Sequence, residues 1–271
     1  NVLASLSSSA GDFLKTPNGT SEYYEGFGWY GSIEELGVTG MYMLKSAISD
    51  LITFSGAPVD PGSTPIDLGV GWNWIGYTPQ YDGLTDDALA SVTTGAGDFL
   101  KTPDGTSEYY EGFGWYGSLE SMSPTQGYML KVGDVSTLIY PNFGPDDYVE
   151  GSARQVVEKE LPLSIADWKA DYHDFEFSGN ITMSIEGRED SDGDYIAVFV
   201  GDECRGVAER MYFPFGDSYM YLVMAYSNVV DDEELTFKYY DSVRNEIIEL
   251  NETIEFTSDM IIGNGFNTFS L

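Results

Sequence analysis

The chain has 271 residues, enough for two or three domains, and its 42% hydrophobic content is sufficient for real cores. Its 45 acids against 12 bases leave a net charge of −33, which repels nucleic acid and anionic membrane surfaces and argues against either as a partner. A single cysteine, Cys204, rules out an intrachain disulfide, and no apolar run reaches the roughly 18 residues needed to span a bilayer, so membrane insertion is not expected. The 20 Tyr, 15 Phe, 5 Trp and 31 Gly favour aromatic strands punctuated by glycine turns over helices, and the fold expected is mostly β. The chain opens on Asn1 rather than Met and carries no signal peptide, as expected of a processed product or a fragment.

Internal repetition organises the first half. Gly11–Leu36 reads GDFLKTPNGTSEYYEGFGWYGSIEEL and Gly97–Met122 reads GDFLKTPDGTSEYYEGFGWYGSLESM; the two differ at four positions. The match runs on to Tyr42-Met43-Leu44-Lys45 against Tyr128-Met129-Leu130-Lys131, and weakly back to Leu3-Ala4-Ser5 against Leu89-Ala90-Ser91. Residues 1–54 form the first repeat. Residues 55–67, rich in Pro, Gly and Ser, read as a linker. Residues 68–142 form the second repeat, and its elements follow in order. A strand over Leu68–Tyr77 places Trp72 and Trp74 on one face. Asp86-Asp87 open a short helix through Ala88, Leu89 and Val92, with the acids at its positive end. Strands follow at Asp98–Lys101 and Ser107–Tyr110 around the turn Thr102–Gly105, whose Pro-Asp-Gly has tight-turn chemistry. The segment Gly112–Trp115, a turn at Ser123-Pro124 and a strand at Gly127–Lys131 complete the unit. The first copy begins inside the equivalent helix, so it lacks the Trp-x-Trp strand altogether.

From about Pro141 the pattern changes to regular short strands: Phe175–Phe177, Ile181–Ile185, Tyr195–Val200, Met220–Tyr226, Leu235–Tyr240, Glu246–Leu250 and Thr253–Phe256. Turn signals between them predict an antiparallel β-sandwich over 143–271.

GWNWIGY, LASV, GDFLKT, GWYGSL and GYMLK resemble a repeat of very large secreted surface proteins of Bacteroidota-type bacteria, many exported by the type IX secretion system. The C-terminal region resembles a module of the same proteins through YIAVFVGDECRGVA, YSN, ELTFKYYDS and DMIIGNGFNTFSL. The resemblance implies an extracellular or cell-surface location; the repeat brings no established chemistry with it.

Candidate chemistry is sparse. Asp190, Asp192 and Asp194 alternate around Gly193, a spacing that offers oxygen ligands to calcium, although the twelfth position from Asp190 is Gly201 rather than the acid of an EF-hand loop; the bland alternative is an acidic turn. Cys204 beside Arg205 offers an activated thiol or, more simply, a hairpin cysteine. His173 is the only histidine, which excludes zinc sites built on several His, and no G-x-S-x-G elbow is present, so an enzyme is not expected. Tyr24, Trp29 and Tyr30, with Tyr110, Trp115 and Tyr116, are candidate sugar-stacking rings or a small repeat core. The truncated first repeat exposes a sheet edge that a strand from another subunit could fill. Two donors suit it: Trp72, Trp74, Ile75 and Tyr77 of the second repeat, or Phe266, Phe269 and Leu271 of the C-terminal segment. Such exchange is head-to-tail and does not close, so it predicts self-association into a polymer. The functional expectation is therefore a structural or adhesive protein, a fibre subunit or adhesin stalk, with a carbohydrate-binding module for surface glycans as the alternative.

Overall fold

A computed structural model describes residues 2–145, 160–187 and 191–271, and it is mostly β. The chain divides into two compact units, Asn1–Thr102 with Thr106–Gln155, and Pro103–Gly105 with Val156–Leu271.

The first unit holds both repeats. In the second repeat five antiparallel strands lie in the spatial order Gly114–Gly117, Thr106–Tyr110, Phe99–Lys101, Gly127–Val132, Gly71–Gly76. A second, two-stranded ladder pairs Ile66–Leu68 with Ser136–Leu138. The second repeat therefore starts inside the stretch read as a linker: Ile66 and Leu68 alternate into the core, and the surrounding Pro, Gly and Ser hid that signal. The helix is one turn, Thr85–Ala88, shorter than its sequence pattern; Leu89 and Val92 beyond it are nevertheless buried. Asp86 in that turn accepts the Trp115 N–H at 2.9 Å, which ties the helix to the far sheet edge. Alternation along Gly71–Gly76 turns Ile75 into the core with Leu100, Leu130 and Tyr128. Trp72 lies on the other face, edge-on to Phe99, with the Lys101 ammonium 5.0 Å from its ring centre.

The first repeat reproduces the main sheet of this plan with one strand fewer and, among the described residues, has no two-stranded ladder beside it. Its sheet runs Gly28–Gly31, Gly19–Tyr24, Phe13–Thr16, Met43–Lys45, and its helix is a 3-10 turn at Val2–Ser5. Residues 39–41 lie along the outer edge of the second repeat's Gly71–Gly76 strand: Gly76 N–H donates to the Thr39 carbonyl at 2.9 Å, and Gly40 bridges Ile75.

The second unit is an eight-stranded, curled, sandwich-like sheet. Its order is Glu246–Thr257, Asp231–Asp241, Tyr195–Val200, Glu203–Phe213, Ser218–Ser227, Phe177–Ser184, Ile261–Ile262, with Phe269–Ser270 also on Phe177–Ser184. Glu203–Phe213 makes the curl, because its first half pairs with Tyr195–Val200 and its last residues, Arg210–Phe213, pair with Ser218–Tyr221. Gly206 sits where the layers close: a Cβ there would lie 2.0 Å from the Met224 carbonyl oxygen. Ile196, Val198, Val223, Leu235, Phe237 and Phe256 fill the interior. Tyr195, Ala197 and Phe199, on the opposite face of the central strand, are covered by Ile165 and Trp168.

Candidate functional site

The two repeats carry nearly the same side chains, so their differences in packing isolate what the missing strand does. Polar contacts that build the repeat occur in both copies. Ala47 N–H donates to Asp12 at 2.8 Å and Gly133 N–H to Asp98 at 2.8 Å. Thr53 N–H donates to Ser5 Oγ and Ile139 N–H to Ser91 Oγ, each at 2.8 Å. The hydroxyls of Tyr42 and Tyr128 each accept a backbone N–H, from Gly37 and Ser123, at 2.7 Å. Asp12 and Asp98 are buried, and they join a helix-side loop to the end of a distant strand. Nothing in the sequence analysis assigned them this role, although the Gly-Asp pair opening both copies marks it.

Apolar packing does differ. In the second repeat Leu89, Val92, Leu100, Trp115 and Met122 are core residues, with Leu119 packed against them. Their counterparts Leu3, Leu6, Leu14, Trp29, Leu36 and Ile33 line an open groove of about 1030 Å³. Tyr140 is fully buried, whereas its counterpart Phe54 is 65% exposed. In the second repeat the space beside these residues is filled by Ile66, Leu68, Ile75 and Tyr77, and no counterpart of that segment lies on the first repeat among the described residues. The sheet of the first repeat therefore ends at Met43–Lys45, where that of the second continues into Gly71–Gly76.

The proposed donor strands are both engaged within their own units. Trp72, Trp74 and Ile75 pair with Lys131, Met129 and Tyr128, and Tyr77 is buried against Tyr128 and Tyr140. Phe269 pairs with Met183, Leu271 N–H donates to the Ser184 carbonyl at 2.9 Å, and Phe266 packs on Phe213.

The aromatic rings do not form a stacking plane. Tyr110 and Trp115 are core residues at 5% and 8% exposure, so their faces are closed to a sugar. Tyr116 and Trp29 are half-buried, and Trp29 meets Tyr23 edge-to-face. Tyr24 and Tyr30 are exposed neighbours, but their planes cross at 79°.

Asp194 is engaged within the protein. It is buried, and its two oxygens accept four bonds: Oδ2 from Tyr239 at 2.6 Å and Ser191 N–H at 2.7 Å, Oδ1 from Ser242 N–H at 2.8 Å and Ser242 Oγ at 2.7 Å. A carboxylate has about four lone-pair sites, and these four bonds match that number. Burial raises the Asp194 pKa, but the hydrogen bonds from Tyr239, Ser191 and Ser242 outweigh it and hold the group below the usual carboxylate value. Asp192 is exposed and paired with Arg210, and Asp190 lies outside the described residues. No group of three or more His, Cys, Asp or Glu among the described residues is arranged to hold a metal ion.

Cys204 is buried in the second unit, and burial pushes its thiol up to about 11, the reverse of activation. Arg205 beside it is committed elsewhere, donating from both guanidinium ends to Glu233 at 3.0 and 3.1 Å and to the Tyr226 carbonyl at 3.1 Å. His173 is exposed, with Nδ1 2.7 Å from Asp171. No helix among the described residues is long and apolar enough to cross a membrane. In comparison with known proteins, the chain matches no family model, no curated protein and no solved structure.

Proposed function

We propose that the protein is a structural or adhesive component of a bacterial surface, a subunit of an extracellular fibre or adhesin stalk, whose first repeat is completed by a strand from a neighbouring chain. The observation that carries this reading is the groove of the first repeat, built from the side chains that form a closed core in the second. An open sheet edge beside an apolar groove is a pairing template that proteins cover. Strand addition from a partner is a general way to cover it, with backbone bonds giving affinity and pockets giving selectivity. A chain that releases Trp72–Tyr77 or its C-terminal segment from its own unit and pairs it with a neighbour's first repeat makes a heterologous contact, which extends into filaments rather than closing. The likeness of the repeat motifs to those of secreted surface proteins supports the extracellular placement. The carbohydrate-binding alternative retains only Tyr24 and Tyr30, whose crossed planes offer no stacking platform.

The test is negative-stain electron microscopy of protein purified from its native source, with size-exclusion chromatography alongside. Regular filaments are expected. A monodisperse monomer at every concentration would sink the polymer reading.

A further inference from the structure

Independently of what fills the groove of the first repeat, we propose that residues 38–41 are a strap that gates pairing of the Gly71–Gly76 strand with the same strand of a second copy of this chain. That strand ends the five-stranded sheet of the second repeat. Its sequence, GWNWIG, has no charge and no proline, so nothing in the strand itself blunts its edge against another chain. The strap covers the edge instead. Gly76 N–H donates to the Thr39 carbonyl at 2.9 Å, Met41 N–H donates to the Trp74 carbonyl at 3.4 Å, and Gly40 bridges Ile75. These three residues are a short extra strand laid on the Trp74–Gly76 end of the sheet, contributed by the first repeat.

Two glycines show that the sequence makes room for this contact. A Cβ on Gly76 would lie 2.7 and 2.9 Å from the Val38 and Gly40 carbonyl oxygens, and one on Gly127 would lie 2.5 Å from Met41 Cγ. Neither glycine has a positive φ, so their backbone conformation does not require glycine; what the missing side chains provide is space for the strap. Met41 is buried there, at 6% exposure. Met41 and Gly127 are counterparts in the two copies, so the first copy supplies a knob where the second supplies a hole. With the strap displaced, the partner that fits is a second copy of the same strand. Antiparallel pairing about Trp74 sets Trp74 opposite Trp74 and Trp72 opposite Gly76 in both directions, which gives each ring either another ring or the open side of a glycine. The same patch on both chains makes an isologous contact, and such a contact closes as a dimer. The product therefore differs from the open-ended assembly expected of the first-repeat groove.

The experiment is hydrogen exchange and sedimentation velocity on the full chain and on two strap variants, in about 0.3 M salt so that charge repulsion is screened. Met41→Asp puts a carboxylate into an apolar contact. Met41→Ala deletes the packing without adding charge, and keeps the test open where the first variant loosens the whole first repeat. In both, exchange of the Gly76 amide should quicken at least about tenfold while Phe99–Lys101 keeps its protection. A discrete species of twice the chain mass should appear, with slowed exchange at Trp72 and Trp74. Quickened exchange at Gly76 without a dimer overturns the proposal. Unchanged exchange in both variants overturns it too, because Met41 then does not hold the strap. Longer assemblies with no discrete dimer would assign the association to the groove and remove the gate. Dimers from variants of a chain that never forms filaments would leave the gate standing and remove the polymer.

Discussion

Asp194 illustrates how a residue type misleads when its surroundings are unknown. In the sequence it is one of three alternating carboxylates on a turn, and in the fold it is the anchor of that turn. Its four donors come from Ser191, just before it, and from Tyr239 and Ser242 at the far end of a distant strand. Removing an acceptor of this kind strands buried donors, so Asp194→Asn should cost about 2 kcal/mol at neutral pH. The pKa shift adds a signature. A carboxyl held below its unfolded value of about 3.9 contributes stability that is present above that pH and lost as pH falls through the folded value. The gap between the wild type and Asp194→Asn should therefore narrow below about pH 4 in denaturant unfolding curves. A gap that stays constant from pH 7 to pH 3 would show that charge is not what Asp194 supplies.

At the scale of elements, the duplicated sequence provides a matched experiment. Leu44 and Leu130 occupy the same strand position and differ in surroundings: Leu130 is fully buried under Ile75 and its neighbours, and Leu44 is half-buried beside the groove. Leu130→Ala should cost about 3 kcal/mol and Leu44→Ala about half of that, measured as loss of local protection in hydrogen exchange. Equal costs would mean that the first repeat is already closed. The same duplication made the fold partly legible. The repeat's strands follow from apolar alternation and from aligning two copies, and Tyr195–Val200 follows from its unbroken apolar run. Other elements were not legible because distant partners decide them. Glu203–Phe213 begins with an exposed acid and a buried Arg205, and Arg205 is met inside bidentately by Glu233, far along the chain, with the Tyr226 carbonyl and Glu203 completing its partners. Ile66–Leu68 is three residues in a Pro/Gly/Ser stretch, and only its pairing with Ser136–Leu138 makes it a strand. Tyr110 and Trp115 look like their exposed or half-buried counterparts Tyr24 and Trp29 in every local respect; the added strand segment is the difference in apolar packing between the copies.

For the whole molecule the dominant quantity is charge. A net −33 on 271 residues means that any two chains brought together repel, whatever their strands offer each other. The repulsion is screened over about 10 Å at 0.1 M salt and about 30 Å at 0.01 M. Strand addition needs contact at hydrogen-bonding distance, so at low salt the barrier to approach extends well beyond the groove, and at moderate salt it shrinks to the rim. Assembly should then accelerate with ionic strength, the reverse of an association steered by opposite charges. Lowering the pH toward the sequence pI of about 4.1 should act in the same direction, since protonation removes negative charge. Light scattering at fixed protein concentration, from 10 to 300 mM salt, measures this directly, and the rate should rise by an order of magnitude or more. A rate that falls with salt would mean that complementary charge patches hold the chains together, and the apolar groove of the first repeat would then not be the contact that drives assembly.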